Sequence, residues 1–228
     1  MQKIYKPSDY IEMLYEIKNL STYYGYGACG APADYMYTGR PYLTNRERYN
    51  APGAPAGSFL FDCAGFAYKA IPWGFYADPN KCYGGASWPA SGQPFSELDT
   101  NDVLSICADV SEDFSNIQPA EVLYIPGHVG IYVGRGLVLE CTTGWNMNRV
   151  IETIILNVAE EDHYHYCRTW QKHGKLPFID YEEGNAINDE LVAAMESIER
   201  ASAELVKISG DLDNVYKIID TFMKGVHK

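Results

Sequence analysis

Cys63 follows an apolar run and an acid in Phe59-Leu60-Phe61-Asp62-Cys63-Ala64-Gly65-Phe66-Ala67-Tyr68, and the residues after it are compatible with a helix. A cysteine in the first turn of a helix sees unpaired backbone N–H groups and the positive end of the helix dipole, both of which favour thiolate over thiol. The position therefore suggests a nucleophile, although a lone cysteine is by default a small buried packing residue. A thiol nucleophile needs a base that takes and returns its proton, and a group that holds the base in its useful tautomer. His128 and Glu140 are candidates for these two roles. They lie in successive strand-like runs, His128-Val129-Gly130-Ile131-Tyr132-Val133 and Leu137-Val138-Leu139-Glu140-Cys141-Thr142, separated by Gly134-Arg135-Gly136. If those three residues close a hairpin, Glu140 faces Gly130, and His128 points to the same face as Glu140, diagonally across from it. A hairpin loop one residue shorter or longer would set the two on opposite faces.

The elements that must position these residues are readable in outline. Tyr10, Ile11, Leu14, Ile17 and Leu20 predict a first helix, with Asp9 and Glu12 at capping-box spacing. Residues 21–57, rich in Gly, Tyr and Pro, show no sustained period and predict a long ordered loop, a kind of segment that is usually functional. Phe66, Ala67 and Ala70 continue the helix opened by Cys63, and Pro72 with Gly74 ends it. Residues 76–100 predict a second turn-rich excursion. Ala120–Ile125 joins the two runs above in an antiparallel meander, with Val150–Leu156 as a fourth strand and His163–Arg168 as a fifth. Helices followed by a block of strands predict an α+β domain with segregated layers.

Composition restricts the partners. The 228-residue chain carries 30 acidic and 18 basic side chains, a formal charge of −12, which argues against attraction to nucleic acid or to an anionic membrane. The basic residues of Met1–Pro7 precede no apolar segment of a signal peptide, and no run is apolar enough to span a membrane. Synthesis in the cytoplasm is expected. Six cysteines in a chain of this length need not be staples, and no C-x-x-C is present to hold zinc or a redox pair. His163-Tyr164-His165-Tyr166-Cys167 would put two imidazoles and a thiol on one strand face, but the favoured reading is a polar strand face without metal. No cofactor and no metal site are expected.

Phe61-Asp62-Cys63-Ala64-Gly65-Phe66 resembles the D-C-S-G-hydrophobic motif of the NlpC-like cell-wall cysteine peptidases, and Gly127-His128-Val129-Gly130-Ile131-Tyr132-Val133-Gly134 resembles their histidine strand. The resemblance covers about residues 5–181, takes in Val138–Thr142, Gly144-Trp145 and Asp113–Pro119, and is closest to phage and prophage endolysins. It implies a papain-like α+β fold and hydrolysis of an amide bond in bacterial peptidoglycan. In that scheme Cys63 attacks, His128 serves as base and then acid, and Glu140 orients His128. It also implies a substrate-binding tyrosine upstream of the cysteine, for which Tyr24 fits the spacing best and Tyr23 is the alternative, and it places Asp62 with Tyr24 on the substrate side. An enzyme of this kind acts on the wall after release from the cell. Ala64 stands where the family has serine, and Ala120 where it often has glycine. The rival functions are a catalytically inactive structural or wall-binding phage protein, and an amidase or acyltransferase of the same fold with another substrate.

Residues 174–186 shift in composition toward a linker, so the catalytic domain is assigned to 1–181, the linker to 182–187 and a tail to 188–228. In the tail Leu191, Ile198, Leu205, Leu212 and Ile219 recur every seventh residue, with Met195, Ser202, Ser209, Tyr216 and Met223 four positions after each. This predicts a helical heptad seam, either a continuous coiled coil or a hairpin broken at Ser209-Gly210, and self-association through 188–224.

Overall fold

A computed structural model describes residues 5–36, 43–75, 98–158 and 166–181. The chain divides into two units, Met1–Tyr181 and Glu182–Lys228, and every described residue belongs to the first. The heptad tail, most of the second excursion, Cys82, His163 and His165 lie outside the described residues.

Helix α1, Pro7–Asn19, buries Tyr10, Leu14 and Ile17 on one stripe and is tied to the segment after Cys63 by the Tyr10 hydroxyl, which donates to the Ala67 carbonyl at 2.7 Å. It begins two residues earlier than the expected Asp9–Glu12 box: Pro7 occupies the first turn, and Lys6 precedes it without a side-chain cap. Proline suits that place because its φ is already helical and its missing N–H would have had no partner there.

The stretch expected to be a long loop contains strands β1 (Thr22–Tyr24) and β2 (Cys29–Pro32) and a short helix α2 (Asn45–Arg48), held by a Thr44/Glu47 capping box. With β3 (Phe59–Phe61) they form a three-stranded sheet in the order β1-β3-β2, parallel between β1 and β3 and antiparallel between β2 and β3. Strands of three or four residues carry no readable period. Pairing with the apolar Phe59-Leu60-Phe61 creates them.

The main sheet has seven strands: β4 (Ala108–Ser111), β5 (Val122–Ile125), β6 (His128–Gly134), β7 (Leu137–Thr142), β8 (Arg149–Ile155), β9 (Cys167–Arg168) and β10 (Lys172–Lys175), in the order β4-β10-β5-β6-β7-β8-β9. The antiparallel run β5 to β8 is the expected meander. Strand β9 instead runs parallel to β8, and β10 inserts between β4 and β5. Gly174 and Lys175, read as the start of a linker, are therefore sheet residues, and Leu176, Phe178 and Tyr181 beyond them are buried. One face of the sheet packs Val129, Ile131, Leu139, Cys141 and Val150 against α1 and the segment after Cys63. The other gathers Leu123, Tyr132, Val138, Ile155 and Trp170. The described residues thus form a mixed α/β domain with few helices around an extended, mainly antiparallel sheet.

Candidate active site

Cys63 stands where β3 turns into a short helical segment, of which Gly65–Lys69 is π-helical. Such π turns are uncommon and often occur at functional sites. Close packing explains Gly65: a Cβ there would lie 2.0 Å from the Ala28 carbonyl oxygen. Asp62 fastens the same junction. Its Oδ1 accepts the Gly65 N–H at 2.5 Å and its Oδ2 accepts the Gly27 N–H at 2.8 Å, so the loop after Tyr24 is tied to the start of the cysteine segment. Burial raises the Asp62 carboxyl above its ordinary range, against the opposing pull of these N–H groups and of Lys69.

The thiolate expected from the helix start is not what the surroundings favour. Burial first, and then the Asp62 carboxylate, push the Cys63 thiol up to about 11, while the N–H groups of Val129, Ala64 and Cys63 itself pull the other way. The local helix-start effect is real and is outweighed by desolvation. At neutral pH the group is a thiol and needs a base. Alkylation of Cys63 by iodoacetamide in the folded protein is accordingly expected to accelerate about tenfold per pH unit from pH 7 upward, without a plateau below the range about 11. A plateau near neutrality, followed by mass spectrometry of the modified peptide, would show a preformed thiolate instead.

Val129 packs in the same core cluster as Cys63, and its N–H favours the thiolate, so the sulfur lies beside the residue that follows His128 in β6. The hairpin register pairs Ile131 with Leu139 and Tyr132 with Val138, as the Gly134–Gly136 loop requires, with an irregularity only next to the turn. His128 and Glu140 consequently share a face, and His128 Nε2 lies 2.6 Å from Glu140 Oε2. With Nε2 engaged, Nδ1 is the nitrogen available for proton traffic; it makes no hydrogen bond among the described residues. The imidazole stacks on Trp170 at 5.6 Å and 17°. Gly130 permits this, since a Cβ on it would lie 3.1 Å from the Trp170 ring.

Glu140 is fully buried and held on three sides. Thr153 Oγ1 donates to its Oε1 at 2.7 Å, and Arg168 Nη2 donates to its Oε2 at 3.1 Å. Burial alone would raise its carboxyl, but the bond and charge of His128, with Arg168 and Thr153, hold it below the ordinary range. Stability derived from this depressed value is present above the usual carboxylate range and is lost as pH falls through the lower folded value.

Tyr24 is the tyrosine beside the cysteine: burial, then the charges of Cys63 and Asp62, push its phenol up, so it remains a donor. Tyr23 lies elsewhere, packed on the alanine cluster around Leu60. Arg168 had no signal in the sequence. It follows the segment 159–165 and reaches Glu140 only because β9 joins β8, and its guanidinium lies 4.9 Å from the Trp145 ring and 5.5 Å from that of Trp170. Arg168→Ala would remove a cation that helps to hold the Glu140 carboxyl below its ordinary range. The acid-side onset of turnover is expected to move to higher pH as the Glu140 carboxyl protonates more readily, with Arg168→Lys restoring most of it; an unmoved pH–rate profile would assign Arg168 a packing role alone.

No family model matches the chain, and no curated protein matches it. Among solved structures, NlpC1 from Trichomonas vaginalis is similar at 17% identity and a TM-score of 0.37, over 73% of this chain and 44% of that one. The chain thus spans less than half the length of that neighbour, and a likeness at this level carries no argument.

Proposed function

We propose that the domain is a thiol-dependent hydrolase of amide bonds in bacterial peptidoglycan, arranged as in papain-like enzymes, with Cys63, His128 and Glu140 as its catalytic group. The observation that carries this reading is the joint placement of a buried cysteine beside Val129 and, one residue away in β6, an imidazole whose Nε2 is fixed by a buried, triply held carboxylate. The choice of substrate rests on the resemblance of the two motifs around Cys63 and His128. His128 Nδ1 takes the thiol proton as sulfur attacks the carbonyl carbon, and the Cys63 N–H supports the oxyanion. The proton passes to the departing amine, leaving a thioester that water hydrolyses. Tyr24 donates toward the substrate carbonyl, and Asp62 keeps the Tyr24 loop against the nucleophile.

Digestion of purified peptidoglycan from several wall chemotypes, with mass spectrometry of the released fragments, tests the proposal. New amine and carboxyl ends at one bond type, absent after alkylation, support it; intact wall with every chemotype sinks it. The tail is proposed to self-associate through residues 188–224, most simply as a dimer. Sedimentation of the whole chain against one ending at Gly184 should show a larger species only for the former, and monomers in both samples would refute the dimer.

A further inference from the structure

Where the end of α1, β1 and the start of β8 meet lies a cavity of about 610 Å³, lined among others by Lys18, Tyr23, Met147, Arg149, Glu152 and Tyr166. Its size falls within the usual range for small-ligand sites, roughly 300–1,000 Å³. Two features give it a chemistry.

The first is charge. In a protein of net charge −12, this cavity presents two cations, Lys18 and Arg149, neither of which has an ion-pair partner among the described residues. Lys18 only lies over the Tyr15 ring at 5.7 Å. The one carboxylate in the lining, Glu152, already accepts the Tyr15 hydroxyl at 2.7 Å.

The second is backbone. Across the β7 side of β8, Ile155 N–H donates to Gly136 O, whereas Ile154 N–H donates to Tyr166 O and Val150 N–H to Thr22 Oγ1 on the outer edge. By the two-residue period of a strand, the N–H and C=O of Glu152 face that same outer edge, between the end of β1 and the start of β9. No hydrogen bond to either group occurs among the described residues. A stretch of strand edge with no pairing partner among the described residues, beside a cavity, is a template for an extended peptide, whose main chain pairs with the edge while side-chain pockets select its residues.

We propose that this cavity binds a short extended peptide carrying a free carboxylate, its backbone pairing with Glu152 on the β8 edge and its carboxylate meeting Arg149 and Lys18. Tyr24 N–H donates to Asn148 O at 2.7 Å, so the strand that bears the substrate-facing tyrosine is also the wall shared with this cavity. A peptide bound here would sit next to the cleft without touching the cysteine. The link to a wall substrate rests on the proposed hydrolase function; the binding itself does not.

The test is titration calorimetry on the full chain carrying Cys63→Ala, which prevents turnover. The probes are the tripeptide N-acetyl-Ala-Ala-Glu with both carboxylates free, the same peptide with both amidated, and the free acid N-methylated at its central amide. The free acid should bind about tenfold or more tightly than the diamide. Arg149→Gln with Lys18→Gln should bring the acid down to the level of the diamide without changing diamide binding or the melting temperature, and central N-methylation should weaken the acid. Equal binding of acid and diamide, no binding of either, or an unchanged affinity in the double variant would overturn the proposal. N-methylation without effect would overturn the strand pairing. Failure of the wild-type protein to cleave any wall would sink the hydrolase reading and leave a positive binding result standing.

Discussion

Cys63→Ala is expected to lower the rate of wall cleavage by on the order of 10⁴-fold or more while leaving the fold intact. The side chain is nearly fully buried but small, and alanine keeps its Cβ among the same neighbours, so a correct circular dichroism spectrum should accompany the loss. His128→Ala should cost about 10³-fold, because the thiol held up to about 11 then has no base. Glu140→Gln should cost less, about 10- to 100-fold, since Thr153 and Arg168 still orient the amide. Turnover measured with a soluble wall fragment distinguishes these ranks. Wild-type rates in a folded Cys63→Ala protein would end the thiol mechanism, and wild-type rates in His128→Ala would remove His128 from it. Cleavage should also persist with a chelator present, because the proposed attack uses sulfur and imidazole alone.

The largest effect on stability is expected far from this cluster, at His173. Its Nδ1 meets Glu121 Oε2 in a very short contact, and its Nε2 lies 2.9 Å from the Asp113 carbonyl. A carbonyl only accepts, so Nε2 carries a hydrogen, and Nδ1 is the nitrogen that faces Glu121. Both side chains are buried, 6% and 2% exposed. Burial raises the Glu121 carboxyl, and His173 is the strongest influence holding it down. His173→Ala leaves that buried carboxyl with only a long bond from the Gln118 N–H, 3.4 Å from Oε1, at a cost of about 3–5 kcal/mol, or about 10 °C in melting temperature for a domain of this size. The sign of the pH dependence follows from the raised value. Without His173 the neutral acid is the tolerable form, so the variant's deficit should be smaller at the acid end and should grow as pH rises through the elevated folded value of Glu121. Thermal unfolding of both proteins at pH 5 and pH 8 measures this, and an equal deficit at both would show that lost packing against Phe114, rather than charge, sets the cost.

The contrast between these two regions shows what the sequence makes legible. The pairing of His128 with Glu140 follows from three local facts: the alternation of two strands, the glycines of the turn, and the parity of the loop between them. Nothing comparable announces the pairing of Glu121 with His173. Glu121 immediately precedes β5, and His173 meets it only because β10 returns from the end of the domain to pair with β5, a contact across 52 residues. Lys172–Lys175 holds two lysines, a histidine and a glycine and has no strand-like period, and its second half reads as the start of a linker, although β4 and β5 cover the strand on both sides. Strands β1 and β2 were hidden in the same way, since each depends on β3. The state of Cys63 was misjudged for another reason. Its local setting, a helix start with free N–H groups, favours ionisation, while the opposing burial belongs to the folded domain and cannot be read from ten consecutive residues.

The two oxygens of Asp62 join positions that are 35 and three residues away in the chain. With the pairing of Tyr24 and Phe61 in β1 and β3, this carboxylate sets the alignment of the Tyr24 loop with the cysteine locally, so that it does not accumulate along the intervening segment. Chain length can change between Ala33 and Gly57, around the short α2 helix, without moving tyrosine relative to sulfur, whereas one residue inserted between Asp62 and Gly65 would separate them. The site therefore has a tolerant side and an intolerant side. Variation in length among descendants of this sequence, or grafts made by an engineer, should collect on the first and be absent from the second.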